Sequence, residues 1–299
     1  PKLASVVNTT SAFRGGSNTV DWDGTYRSLL GMPGSLTSLT NFRDYARRRG
    51  VAGKNGAGWN CDVYDIQKTC YWLYAIEYAN FNCQLDFNPD TTNEGYKQGG
   101  LGEGVTNLVN TAWNTYNANN PFIPCGYTNG LGNKSGVVTF DMPPEFGTLI
   151  TSVPSYRGLE NPFGHIWVWE DGCICRVQSD DAGGGSEFYV CSDPDKFGSK
   201  DYTDYDLRGV LSRTLGYIRS IIFGDNGGIM ANMVGGNSTV YFADYFFTAI
   251  PIQNEEQRVV SLGGHAANGV VAGLICTFTN QADTFRGANY GSRLCFIPE

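Results

Sequence analysis

His165 and His265 are the whole imidazole complement of the 299-residue chain. A Ser-His-Asp relay needs a histidine oriented by a carboxylate and set beside a nucleophile, and an imidazole zinc centre needs closely spaced ligands. Neither pattern surrounds these two histidines, and there is no Gly-x-Ser-x-Gly elbow. Glu160, Glu170 and Asp171 are near enough in sequence for paired-carboxylate chemistry, yet nothing raises them above ordinary acids. The nine cysteines (Cys61, Cys70, Cys83, Cys125, Cys173, Cys175, Cys191, Cys276 and Cys295) are odd in number and form no CxxC pair. That pattern fits neither a disulfide framework nor a zinc ribbon. It predicts mostly free, buried thiols that act as small hydrophobes, as in a protein made in a reducing cytoplasm.

Two further patterns resemble sites and fall short. Gly99-Gly100-Leu101-Gly102-Glu103-Gly104 lacks the Lys-Ser/Thr of a phosphate loop and the spacing of a dinucleotide turn, so it reads as a glycine-rich connection. Asp180-Asp181 and the run Asp193, Asp195, Asp201, Asp204 and Asp206 lack the spacing of a calcium loop and read as solvated acids at a hairpin tip. No metal, cofactor or catalytic residue is expected.

The formal net charge of -8 argues against a nucleic-acid grip, which needs a basic face. The densest basic run, Arg47-Arg48-Arg49, ends a short helix, where cations favour the macrodipole. No apolar run is long enough for a membrane helix, and Pro1-Lys2-Leu3-Ala4-Ser5 has no charged-then-apolar leader, so neither membrane insertion nor a signal peptide is expected. With 41% hydrophobic residues and 39 glycines the chain can bury a large core while remaining rich in turns.

The elements that must position these residues follow from periodicity. A helix begins near a Thr40 or Asn41 cap, places Phe42, Tyr45 and Ala46 on one face and ends at Gly50. The clearest helix spans residues 62–82, with Val63, Ile66, Cys70, Leu73 and Ile76 at helical spacing and Asn60 or Asp62 as cap. Its breadth of apolar residues predicts a largely buried central helix. Residues 104–116 could hold one more. Strands are predicted at 137–142, 165–170, 173–177, 187–191, 216–223 and 240–248, with Asp171-Gly172 as a two-residue hairpin turn. Helices first and strands later make an α+β fold, two helices packed on antiparallel sheets with loop and hairpin insertions. Residues 1–35 are a strand-and-loop lead-in, and 36–299 form one domain.

The C-terminal stretch opens with Gly263-Gly264-His265-Ala266-Ala267-Asn268-Gly269 and closes with Gly291-Ser292-Arg293-Leu294-Cys295-Phe296. Between these brackets the chain resembles the variable proteins of diversity-generating retroelements, found in bacteria and their phages, including gut Bacteroidales phages. Upstream segments share the likeness, among them Ala46-Arg47-Arg48-Arg49-Gly50, Trp59, Leu73-Tyr74-Ala75-Ile76-Glu77-Tyr78-Ala79, Gly95-Tyr96-Lys97-Gln98-Gly99-Gly100, Asn120-Pro121-Phe122-Ile123-Pro124-Cys125-Gly126 and Gly158-Leu159-Glu160-Asn161-Pro162-Phe163-Gly164. The resemblance covers roughly residues 10–299. It implies a C-type-lectin-like fold with a variable region at about 263–293, closed by Gly-x-Arg before a last core strand.

Diversification in that family replaces adenines, and an AAC codon so mutated cannot become Trp, Met, Lys, Glu or Gln. Between Gly264 and Arg293 there is no Trp, Met, Lys or Glu, and a single Gln, Gln281. The resemblance implies a non-enzymatic receptor binder whose exposed, variable set is His265, Ala267, Asn268, Val270, Val271, Thr277, Thr279, Asp283, Thr284, Phe285, Arg286, Ala288 and Tyr290. Phe285, Arg286 and Tyr290 are the expected anchors, because aromatics and Arg dominate interface hot spots. Glycines 264, 269, 273, 287 and 291 are expected to pin turns, and Leu274, Leu294 and Phe296 to face inward. The implied partner is a protein or glycan receptor on a bacterial surface, met at a phage tail tip or, alternatively, from a cell surface, with the oligomeric state open. Calcium-dependent sugar lectins carry Glu-Pro-Asn or Gln-Pro-Asp with Trp-Asn-Asp; this chain has the permuted Glu160-Asn161-Pro162 and no Trp-Asn-Asp. An enzyme on the related sulfatase-activating fold would need a reactive cysteine pair, for which no match is found, and a structural virion or surface protein is the remaining class.

Overall fold

The computed structural model describes residues 37–47, 58–83, 125–141, 150–198, 200–287 and 289–297. The lead-in at 1–35, the glycine run at 99–104 and the helix expected at 104–116 lie outside these residues. The fold is α+β, with two α-helices and a predominance of sheet among the described residues.

Helix α1 (Leu39–Arg47) buries Phe42, Tyr45 and Ala46 as their spacing requires, together with Leu39 and Arg43. Its cap is Ser38, two residues before the expected Thr40. The Ser38 hydroxyl accepts from Asn41 N at 3.3 Å and its carbonyl from Phe42 N at 2.9 Å. Arg43 crosses to Asp171, donating from Nε and Nη2 to the two carboxylate oxygens at 2.7 Å each.

Helix α2 (Tyr64–Tyr78) lies within the 62–82 span, but it is turned differently from the expectation. The buried face is Tyr64, Gln67, Tyr71, Tyr74 and Ala75. The aliphatic stripe looks outward, with Ile66 37%, Leu73 41% and Ile76 78% exposed. Tyrosine brings a large ring and a polar handle, and here each hydroxyl finds a partner. Ile229 N donates to Tyr64, and Tyr71 and Tyr74 donate to the carbonyls of Phe81 and Asn82. Gln67 donates to Leu274 O at 2.9 Å, which satisfies a buried amide. The expected side-chain cap from Asn60 or Asp62 does not form, and Val63 occupies the cap position. Left-handed Ala79, at φ 51°, ends the helix.

One nine-stranded sheet carries most of the molecule. Its strands are β5 (Trp167–Gln178), β6 (Ser186–Val190), β7 (Asp206–Val210), β8 (Gly216–Ile221), β9 (Ala231–Val234), β10 (Tyr245–Phe247), β11 (Glu255–Gly263), β12 (Gly273–Gln281) and β13 (Tyr290–Gly291). They run in the order β7-β6-β5-β11-β12-β10-β8-β9, with β13 also on β5. The sheet curls nearly into a barrel: just beyond β7, Ser212 N donates to Ala231 O at the start of β9, 3.0 Å away. Antiparallel pairs dominate, but β10 joins β12, and β13 joins β5, in parallel.

The hairpin expected at Asp171-Gly172 is not there. Residues 167–178 form one strand, and its pairing with β11 jumps from Glu170↔Val260 to Ile174↔Val259. Residues 171–173 therefore form a bulge, with Gly172 at φ 75° and Phe197 and Cys191 O where a β-carbon on it would stand. A bulge re-aims side chains and strengthens local twist. Here it points Asp171 at Arg43 and splits β5 into two paired halves. The first half takes β13 on the edge that the second half gives to β6.

The sheet divides two cores. Toward α2 lie Tyr64, Tyr71, Tyr74, Phe163, Phe188, Ile218, Phe246, Leu262 and Ile275. Toward α1 lie Leu39, Phe42, Cys61, Trp167, Trp169, Val259, Cys276 and Tyr290. Burying a side chain of Leu or Phe size stabilises by ~1.5–3 kcal/mol, so both cores contribute substantially. A smaller sheet of β2 (Gly136–Asp141), β3 (Ile150–Tyr156) and β4 (Leu159–Glu160) is tied to the turn at 126–128 by Glu160, which accepts from Gly126 N, Thr128 N and Thr128 Oγ1 at 2.6–2.7 Å. The last strand, β14 (Cys295–Phe296), pairs with β1 (Trp59–Asn60). None of the nine cysteines forms a disulfide, and seven are buried. Among the described residues no helix is long and apolar enough to cross a membrane.

Candidate functional site

The two brackets of the C-terminal segment are structural fasteners. At the opening, Gly263 and Gly264 take φ 93° and 75°, a region that favours glycine. The chain then makes a 3-10 turn over Ala266–Val271, held by the Asn268 side chain, which accepts from His265 N at 2.8 Å. At the close, Ser292 Oγ donates to Trp169 O at 3.1 Å and accepts from Asp62 N at 3.0 Å. Arg293 donates to Asn161 O at 2.6 Å and stands 3.9 Å from Asp62. Gly-Ser-Arg thus ties β5, the entry to α2 and the loop after β4 into one junction. Of the glycines expected at turns, Gly273 opens β12 and Gly291 closes β13, and Gly273 packs directly on the Asp244 carboxylate.

Between the brackets the expected surface set divides. Thr284 and Arg286 are exposed; His265, Asn268, Val270, Val271, Asp283 and Phe285 are half-buried. Ala288 and the side chain of Ala267 lie outside the described residues. Thr277, Thr279 and Tyr290 are corrections: they are buried at 0%, 0% and 4% exposure. Both threonines enter the sheet because their hydroxyls are satisfied by backbone, Thr277 by Ile275 O at 2.7 Å and Thr279 by Phe247 O at 3.2 Å. Tyr290 is enclosed by rings, stacked on Trp169 at 4.7 Å with Phe285 edge-on at 5.2 Å. Leu274 and Leu294 are inward as expected, whereas Phe296 is half-exposed and leans on the Trp59 ring at 5.3 Å.

The half-buried and exposed members form two patches, the turn at 265–271 before β12 and the loop at 283–286 after it. Trp167 connects them, with ring centroids 6.2 Å from His265 and 6.3 Å from Tyr290. From Trp167 a row of rings continues across the sheet through Phe278 at 5.5 Å, Phe247, Tyr245 and Tyr217. Tyr217, Tyr245, Phe247 and Phe278 are each half-buried. Their strand neighbours Ile218 and Phe246 point into the core beneath. The sequence reading missed these four, although the alternation of Tyr245-Phe246-Phe247 about a buried central ring was a usable signal.

Burial holds the His265 imidazole down to about 4, so it is neutral at physiological pH. Gln281 lies in hydrogen-bonding reach of the Tyr290 hydroxyl, which gives the one glutamine of the segment a structural task. Asp283 is anchored to α1, accepting from Thr40 Oγ1 at 2.9 Å. The resulting surface offers flat ring edges, an exposed guanidinium at Arg286 and an exposed hydroxyl at Thr284, elements suited to stacking and hydrogen bonding. The carboxylates close in sequence are separated in role: Glu160 ties a turn, Asp171 pairs with Arg43, and Glu170 is wholly buried with neither oxygen hydrogen-bonded among the described residues. No group of three or more His, Cys, Asp or Glu residues suited to a metal ion occurs among the described residues. No protein-family model matches the chain, and comparison with curated proteins finds no match.

Proposed function

We propose that this chain is a non-enzymatic receptor-binding protein with a C-type-lectin-like fold, whose segment at about 263–293 displays a changeable contact surface. The observation that carries this reading is the division of labour within that segment. The bracket residues Gly263, Gly264, Ser292 and Arg293 and the buried Thr277, Thr279 and Tyr290 build the platform. Val270, Val271, Thr284 and Arg286 stand at its margin beside a row of half-buried rings. Margin positions can change type with little loss of core contact, which is what adenine-directed diversification requires of its target. The receptor is a protein or glycan on a bacterial surface, and the setting is host attachment from a phage tail tip or display at a cell surface.

The test is to sequence this coding segment from a population carrying the gene, with its flanking DNA. The reading expects a neighbouring reverse transcriptase and template copy, with substitutions at adenines concentrated in codons such as 270, 271, 284 and 286. A segment invariant across the population, or substitutions spread evenly over codons 277, 279 and 290 as well, would overturn it.

A further inference from the structure

A concavity lies away from the aromatic row, where the first turns of α2 meet β6, β7 and the hairpin loop between β8 and β9. It encloses about 160 Å³. A cavity of ~150 Å³ holds one benzene ring, so the space fits a body of single-ring size. Its floor is apolar: Tyr64 and Phe188 meet edge-on at 5.0 Å, beside Val190 and Ile222. The wall formed by the hairpin loop is fixed. Trp72 donates from Nε1 to Gly227 O at 2.5 Å and packs edge-on against Phe223 at 5.3 Å. Gly228 leaves no room for a β-carbon against Ile222 O, which lets this wall come close.

Two cations overlook this floor. Lys68 stands 5.8 Å over the Tyr64 ring, and its ammonium pairs with Asp65 at 2.6 Å. Arg208 enters from β7 and pairs with Asp206 at 3.2 Å, an acid that is 78% exposed. An ammonium has three donors and a guanidinium five, so each retains capacity beyond its present carboxylate. Exposed pairs of this kind contribute little, and an incoming carboxylate can replace Asp206 at small cost. Lys68 and Arg208 are the cations of the lining, balanced by Asp65 within it and by Asp206 just outside it, so an anion would enter by taking the place of Asp206 on Arg208. Ser192 and Asn226 add polar groups at the mouth.

We infer that this cleft binds a single-ring organic monoanion, the ring on the Tyr64–Phe188 floor and the carboxylate between Lys68 and Arg208. Aromatic acids and single uronic-acid sugars share that chemistry. The site is independent of the C-terminal display surface.

Titration calorimetry of the full chain with benzoate, glucuronate, and the neutral counterparts benzamide and glucose tests it. At least one acid is expected to bind saturably, with a Kd of about 1 mM or tighter, and its neutral counterpart at least about tenfold more weakly. The acid that binds identifies the ring. Lys68→Gln combined with Arg208→Gln should weaken binding at least about tenfold with an unchanged melting temperature. Ser192→Trp, at an exposed position on the rim, should block it sterically, so the test stands if the double variant is unstable. Arg286→Ala should leave it unaltered, which separates this site from the display surface. Failure of both acids to saturate, equal binding of the neutral ligands, or full binding by folded Ser192→Trp would overturn the inference.

Discussion

Tyr290 stacks on Trp169 with ring centroids 4.7 Å apart and planes 30° apart, inside the core beneath α1. Its position in a presumed display segment suggested an exposed anchor, and its packing makes it part of the support. Tyr290→Ala is therefore expected to cost ~3–5 kcal/mol of stability, the range for emptying a buried aromatic site. Arg286→Ala and Thr284→Ala should stay within about 0.5 kcal/mol of the parent. Denaturant melts of the three variants check this; equal stabilities would mean that Tyr290 is not a core residue.

The buried ion pair between Arg43 and Asp171 makes a second prediction. Arg43→Ala leaves the Asp171 carboxylate buried without its guanidinium, which typically costs ~3–5 kcal/mol. The two-pronged geometry at 2.7 Å also predicts that Arg43→Lys fails to restore the loss, because an ammonium cannot make both contacts in plane. Unfolding midpoints for the two variants read this directly, and full rescue by lysine would show that charge alone matters.

Three buried carboxyls give the stability a pH dependence. Burial pushes Asp62 up to about 6 against the opposing pull of Arg293, and Asp244 up to about 7 against hydrogen bonds from backbone N–H groups. Burial also lifts Glu170 well above the usual range, with nearby Asp62 adding to the shift. A carboxyl raised in this way retains, in the folded state, a proton that the unfolded chain releases near ~4. Its stabilisation is complete below that value and is lost as pH climbs through the folded pKa. His265, held down to about 4, opposes this below its unfolded value of ~6.5, one group against three. The melting temperature should fall as pH rises from about 4.5 to 7.5, and Asp244→Asn should flatten the slope. A melting temperature that climbs steadily over this interval would contradict the account.

Local pattern was legible where one periodicity met one core. Phe42, Tyr45 and Ala46 marked the inner face of α1 correctly. The same reasoning located α2 but chose its aliphatic face, because Tyr64, Tyr71, Tyr74 and Gln67 hide large contact areas behind polar atoms that the fold satisfies. Asp171-Gly172 has the composition of a hairpin turn, and only the register of β11 against β5 reveals a bulge. In the C-terminal segment the glycine and Gly-Ser-Arg brackets were visible as motifs. That Thr277 and Thr279 face inward depends on carbonyls of Ile275 and Phe247 that composition does not display. The ring row through Tyr217, Tyr245, Phe247 and Phe278 is assembled from strands far apart in sequence, and pairing alone brings it together.

The central claim is that the margin of this platform makes the contact. Its most direct measurement is capture of a panel of gut bacterial surfaces by the full chain, followed by the same assay on Thr284→Ala, Arg286→Ala and Phe278→Ala at matched folded concentration. An interface anchor typically costs ~2 kcal/mol or more on truncation, and ~1.4 kcal/mol is tenfold in affinity. Capture of the surface bound by the parent should therefore weaken at least about tenfold for Arg286→Ala or Phe278→Ala, with circular dichroism unchanged. Undiminished capture by all three folded variants would contradict the account and place the contact surface elsewhere on the molecule.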